Sequence, residues 1–144
     1  MALVKGMRHT GIICDDIQQS LIFYRDYLGL SVIQDFWDES EYINKITGIT
    51  NGKVHMIKMK ADDGTIIELL DYESHPADLI TQEIYSPGAC HLALEVHDIS
   101  LAYSELLAKG VKFISEPVLS SEGIAKVCFC FDPNKTRIEL VEML

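Results

Sequence analysis

Two histidines and two glutamates occupy matching places in the two halves of this sequence of 144 residues. His9 and His91 each open an apolar segment in which six residues separate the histidine from an Asp-Ile pair. Glu68 and Glu139 each lie in a Thr-x-Ile-Glu-Leu string. Imidazole and carboxylate groups bind divalent cations and exchange protons. The pattern therefore indicates a repeated polar site rather than four unrelated residues.

The apolar segments around the histidines are predicted strands, in which successive side chains point to opposite faces. His9 then shares a face with Gly11, and His91 shares a face with Ala93. Both neighbours are small and leave space beside the histidine. The leucines of the second strand take the other face, so we expect each histidine on the open side of its sheet.

The two glutamates also lie opposite the apolar residues that flank them, which places them on the histidine faces. A carboxylate within a central strand is costly to bury unless a partner neutralises it, and a divalent cation does so efficiently. Two imidazoles and two carboxylates leave two positions of an octahedron for water or substrate. We predict a site for one divalent metal ion (Ni, Zn, Mn, Co or Fe(II)) held by His9, Glu68, His91 and Glu139.

The elements that must position these residues form two modules at an offset of 71 to 82 residues. Module 1 spans about residues 7–71, a linker follows at about 72–88, and module 2 spans about 89–144. Each module is predicted as β-α-β-β-β. After each helix, the strands are expected at about 31–36, 53–60 and 65–71, and at about 111–115, 124–131 and 136–142. One helical turn is expected at 77–83 within the linker.

Residue types at the helix ends support this pattern. Asp16 can cap the first helix, and Gly29 and Gly110 lie where a left-handed helix terminus favours glycine. Apolar residues with a helical period mark the two buried faces: Ile17, Leu21, Tyr24 and Leu28 in the first, and Ile99, Tyr103, Leu106 and Leu107 in the second.

The predicted fold class is α+β, a single domain of two tandem modules whose curved sheets enclose a metal-binding cavity. A sheet with a helix on one face needs cover for its other face. Residues 38–52 have no counterpart in the second half and are predicted as a loop or short helix that covers the substrate. His55 lies in the strand 53–60 and is expected to pack at the surface or under a loop.

Composition excludes several classes of partner. The chain has 12 Lys and Arg against 22 Asp and Glu, a formal net charge of -10, and no cluster of basic residues. We expect no binding to nucleic acid or to an anionic membrane surface. No segment has the pattern of a signal peptide or a membrane span, so a cytoplasmic location is expected. The four cysteines, Cys14, Cys90, Cys128 and Cys130, lie in apolar runs and are predicted as buried, reduced core residues.

The strings around the four polar residues, together with Ser20-Leu21-Ile22-Phe23-Tyr24-Arg25-Asp26-Tyr27-Leu28-Gly29-Leu30, resemble the vicinal oxygen chelate superfamily. That superfamily includes glyoxalase I, methylmalonyl-CoA epimerase, extradiol dioxygenases, and fosfomycin- and bleomycin-resistance proteins. The resemblance covers nearly the whole chain. It implies metal ligands at His9, Glu68, His91 and Glu139, and a homodimer acting on a small molecule.

Within this superfamily the ligand set resembles the glyoxalase I and epimerase branches. The resemblance implies a metal-dependent lyase or isomerase that abstracts a proton next to a carbonyl, with Glu139 or Glu68 as the base. Only Arg8, Arg25 and Arg137 are available as arginines, which argues against glutathione as cosubstrate. The metal site could lie within one chain, or be split across a dimer with one His–Glu pair from each subunit.

Two other classes of function stay open at this point. One is an Fe(II)-dependent ring-cleaving dioxygenase, although the glutamate at position 68 is untypical of that branch. The other is a non-catalytic drug-binding resistance protein, against which the complete ligand set argues. A fosfomycin-type transferase would use three ligands and a potassium-binding loop that this chain lacks.

Overall fold

Two four-stranded mixed sheets make up the β-structure, one in each of two units, Met1–Leu79 and Ile80–Leu144. These assignments come from a computed structural model that describes all 144 residues. The division between the units lies inside the segment 72–88 that separates the two repeats in the sequence. The predicted α+β class is confirmed, and the two halves have their strands and helices in the same order apart from one additional helix in the first.

The first unit has the strand order β1-β4-β3-β2, in which β1 is parallel to β4 and the other pairs are antiparallel. Its elements are β1 (Thr10–Ile13), α1 (Ile17–Leu21), β2 (Ser31–Asp38), α2 (Glu41–Thr47), β3 (Val54–Lys60) and β4 (Ile66–Asp71). A π-helical segment, Ile22–Tyr27, continues α1.

The first helix begins and ends as the sequence predicts. The Asp16 side chain accepts hydrogen bonds from the backbone N–H groups of Gln18 and Gln19, which an uncapped helix would leave without partners. Gly29 has φ +83°, a left-handed conformation that is unfavourable for any residue with a Cβ atom. The cap and the glycine therefore define where the chain enters and leaves the helix.

The two faces of the first sheet are covered differently. Ile67 and Leu69 of β4 are fully buried, and α1 contacts this strand. On the face that carries Glu68, Ile43 of α2 packs with a cluster of apolar side chains, which comprises Val54, Met56, Leu70 and Tyr72. The insertion at 38–52 therefore contains a helix that covers part of the Glu68 face.

The second unit has the order β5-β8-β7-β6, again with one parallel pair, β5 and β8. Its elements are β5 (His91–Glu95), α3 (Ile99–Ala108), β6 (Val118–Leu119), β7 (Ala125–Phe131) and β8 (Arg137–Met143). The sheet repeats the topology of the first unit: β8, which contains Glu139, lies between β5, which begins at His91, and the antiparallel strand β7.

Helix α3 packs against the face of β8 that lies opposite Glu139. The Glu142 carboxylate accepts a hydrogen bond of 3.0 Å from the Ile99 N–H at the helix start. Ile138 and Leu140, which alternate with Glu139, are fully buried. Asp98 caps the helix by accepting from the Leu101 N–H. The polar face with Glu139 therefore stays free of the helix.

Two predicted elements are absent. Residues 111–115 do not form a strand: Phe113 makes one bridge to Cys130, and the short strand β6 follows instead. Pro117 interrupts this stretch because it has no N–H to donate to a ladder. The helical turn expected at 77–83 does not form, since all of these residues are exposed and a short helix without packing is unstable.

No helix has the length and apolar character needed to cross a membrane.

The cysteines divide into three buried thiols and one exposed thiol, Cys90, which corrects the expectation that all four are buried. Burial raises the pKa of Cys128 to about 11 and that of Cys130 to about 12. We predict that 5,5′-dithiobis(2-nitrobenzoate) at pH 8 modifies one thiol rapidly in the native protein, since thiolates are the reactive form. The Cys90→Ser variant should lose this rapid phase. A rapid phase that persists in the variant would contradict the assignment.

Candidate functional site

Each unit brings one histidine and one glutamate together on one face of its sheet. In the first unit, His9 Nε2 lies 3.8 Å from Glu68 Oε1. In the second, His91 Nε2 lies 2.9 Å from Glu139 Oε2. The histidine stands at or just before the start of the edge strand, and the glutamate lies in the adjacent central strand. All four predicted site residues therefore occur as two His–Glu pairs of the same construction.

A small residue lies directly beside each glutamate. Gly11 of β1 is paired with Glu68, and Ala93 of β5 is paired with Glu139. A Cβ atom added to Gly11 would lie 3.2 Å from Leu70 Cδ1, so this position is already close to its neighbour. A small residue is therefore paired with the glutamate in both sheets.

The surroundings of the two glutamates differ on the other side. Lys58 of β3 is paired with Glu68, and its Nζ lies 3.5 Å from Glu68 Oε2. At the equivalent position Phe129 of β7 is paired with Glu139, and its ring contacts the His91 ring edge to face at a centroid distance of 5.1 Å. Glu68 therefore has a cation as neighbour where Glu139 has an aromatic ring.

The two carboxylates also differ in burial, and Glu68 is the more buried of the two. The Glu68 side chain is 9% exposed, whereas that of Glu139 is 22% exposed. An ionised carboxylate with so little solvent needs a cation close by. Lys58 provides this cation at Glu68 Oε2, and the His9 ring lies at the other oxygen.

The donor set fits a divalent metal ion. Ligands at bond lengths of about 2.0–2.2 Å in neighbouring octahedral positions lie about 3 Å apart. The separation of 2.9 Å in the second pair matches this value, and the pair at 3.8 Å needs a shift of less than 1 Å. No group of three or more His, Cys, Asp or Glu side chains is placed to hold a metal ion. Each unit brings two candidate ligands together.

Sequence reasoning missed Lys58 as a neighbour of the site. Residues 55 to 60 pair with residues 66 to 71, which places Lys58 beside Glu68. The exact register that places Lys58 beside Glu68 depends on the turn at 61–65, whose geometry the sequence pattern alone does not fix.

His55 belongs to a separate cluster on the face opposite Glu68. It lies three residues from Lys58 on β3, and an odd spacing puts side chains on opposite faces. Its ring stacks on Trp37 at 4.4 Å, and its Nε2 lies 2.7 Å from Asp35 Oδ1. Burial raises the pKa of the neighbouring Asp71 carboxyl, an effect that the charge of His55 opposes. The expectation that His55 packs rather than faces the site agrees with this placement.

The comparison with known proteins identifies the class to which this fold and these paired residues belong. The model of the Glyoxalase/Bleomycin resistance protein/Dioxygenase superfamily matches residues 6–140. The chain belongs to this superfamily, as the resemblance in its sequence predicted.

Individual relatives match over nearly the whole chain. The uncharacterized protein YwkD of Bacillus subtilis is 31% identical over 141 residues, which cover 97% of this chain and 98% of YwkD. The probable lactoylglutathione lyase of Synechocystis sp. is 28% identical, with 93% of this chain and 92% of that protein covered. The crystal structure of a glyoxalase family protein from Bacillus cereus aligns with a TM-score of 0.89 at 25% identity, covering 100% and 99% of the two chains.

The placement of His55 predicts that it stabilises the fold and takes no part in the site. The His55→Ala substitution removes a buried ring, its stacking on Trp37 and its bond to Asp35. We expect a loss of about 2 kcal/mol in the free energy of unfolding, measured by urea denaturation. The matched control is His75→Ala, because His75 is exposed, and it should change stability by less than about 0.5 kcal/mol. A loss as small in His55→Ala as in the control would refute this role.

Proposed function

We propose that this protein is a divalent-metal-dependent lyase or isomerase of glyoxalase type, which abstracts a proton from a carbon next to a carbonyl of a small substrate. The observation that carries the proposal is the repeated arrangement of histidine, small residue and glutamate at the same register in both sheets. Ligands that two equivalent halves contribute to one cation would have this arrangement.

The residues proposed to hold the metal are His9, Glu68, His91 and Glu139. When bound, a divalent cation supplies Lewis acidity at the substrate oxygens and stabilises the negative charge that develops as the proton leaves. The four ligands can come from one chain or from two subunits of a homodimer, and both arrangements give the same ligand set.

The chain's own part in the reaction is to place a carboxylate that accepts the proton. Glu139 is the first candidate because its one ionic partner is His91, while Glu68 contacts both His9 and Lys58. Glu68 is the alternative base, acting from the opposite side of the substrate. After abstraction, the protonated carboxyl can return the proton to the neighbouring carbon or to the other face of the same carbon.

Relatives support the reaction class. The superfamily includes the glyoxalases, and the probable lactoylglutathione lyase of Synechocystis sp. matches over most of its length.

The proposed metal site predicts that ligands from both units are needed for full metal content. Protein purified without chelator and dialysed against NiCl2 should contain about one nickel ion per chain by mass spectrometry of the metal. His9→Ala and His91→Ala should each lower this content at least tenfold, because each removes one of four ligands. His75→Ala is the control and should keep the ion. Full nickel content in both ligand variants would contradict the proposed site.

The assignment of the base predicts a loss of proton exchange without loss of metal. A screen of α-hydroxy carbonyl compounds and acyl thioesters in D2O, followed by proton NMR, detects abstraction through the loss of the α-proton signal. For a compound that exchanges, Glu139→Gln should lower the rate by about 10²-fold or more while nickel content stays above half. An unchanged exchange rate would remove Glu139 from this role. Proton abstraction does not consume O2, unlike ring cleavage by a dioxygenase. The exchange rate should therefore be the same with and without oxygen.

A further inference from the structure

The duplicated halves differ at the position that faces each glutamate from the antiparallel strand. Lys58 is paired with Glu68, and Phe129 is paired with Glu139 at the equivalent place in the second sheet. The rest of the arrangement is the same in both halves. The first half therefore has a positive charge beside its glutamate, where the second half has an aromatic ring.

The Lys58 ammonium group is close to Glu68 without being fully engaged by it. Its Nζ lies 3.5 Å from Glu68 Oε2, longer than the 2.7–2.9 Å of a close charge-assisted hydrogen bond. The side chain is 21% exposed, and Glu68 is its one ion-pair partner. An ammonium group has three donors. Lys58 can therefore donate to a second anion from its present position.

The charges favour such an anion once the proposed metal is bound. A divalent cation balances the charges of Glu68 and Glu139, so Lys58 contributes a surplus positive charge. Gln34, which is paired with Lys58 on its other side, is neutral and adds no compensating carboxylate. A positive charge that no other carboxylate balances attracts a negatively charged ligand.

We propose that Lys58 binds a carboxylate of the substrate, and that the substrate of the proposed reaction is therefore a small α-hydroxy or α-keto acid. The inference rests on the proposed function. Because Nζ lies so close to Glu68, the carboxylate must be adjacent to the reacting carbons. A long conjugate that carries its charges at the far end would not use this contact.

The test is calorimetric titration of the nickel-loaded protein with oxalate, a dianion with vicinal oxygens, and with hydroxyacetone as an uncharged probe. Lys58→Gln should raise the dissociation constant of oxalate about 10-fold, since it removes a hydrogen bond to a charged group. Lys58→Arg, which keeps the charge, should stay within about threefold of the unsubstituted protein. Hydroxyacetone binding should be the same in all three proteins.

Lys60→Gln is the matched control, because Lys60 lies on the same strand and the same face but is exposed at its end. It should leave oxalate binding unchanged. Equal oxalate affinity in Lys58→Gln and the unsubstituted protein, with nickel retained, would overturn the inference alone. Loss of nickel in Lys58→Gln would also overturn it, since Lys58 would then be a positioning residue for Glu68. Failure of the unsubstituted protein to bind nickel would overturn the proposed function and this inference together.

Discussion

The constraint on which this structure depends is a carboxylate held within the middle of a sheet. Glu68 lies on a central strand, is buried and has fully buried apolar residues on either side in the sequence. Such a group must be neutralised or it destabilises the fold. His9 and Lys58 lie beside the two oxygens of this carboxylate, and Gly11 is paired with Glu68. The second sheet repeats the pairing of a histidine with a glutamate at His91 and Glu139.

The repetition also shows how one fold gives two equivalent glutamates different neighbours. The backbone pairing is the same around Glu68 and Glu139, so differences between the two arise from their neighbours alone. Lys58 and Phe129 are those neighbours. Carboxylates in unlike surroundings commonly take unlike roles in proton transfer. Glu68 therefore has an ammonium group beside it as well as His9, whereas Glu139 has His91 and the ring of Phe129.

Much of this could be predicted from the sequence because it depends on local patterns. Alternation placed Glu68 and Glu139 opposite buried leucines and isoleucines, and glycine marked the helix ends at Gly29 and Gly110. What failed depended on context that a single sequence does not contain. The segment 111–115 has strand-forming residues but lies beside β7 for only one bridge, and Cys90 is apolar in type yet precedes its strand in an exposed loop. The contact of Lys58 with Glu68 required the register of two strands, which alternation alone leaves undetermined.

The most direct measurement of the central claim is anomalous diffraction at the nickel edge from crystals grown with the metal. The account predicts one peak per chain, within about 2.0–2.3 Å of the Nε2 atoms of His9 and His91 and of one oxygen each from Glu68 and Glu139. That result would stand whether the ligands come from one chain or from two. Separate peaks at the two His–Glu pairs, or no peak near either, would contradict it.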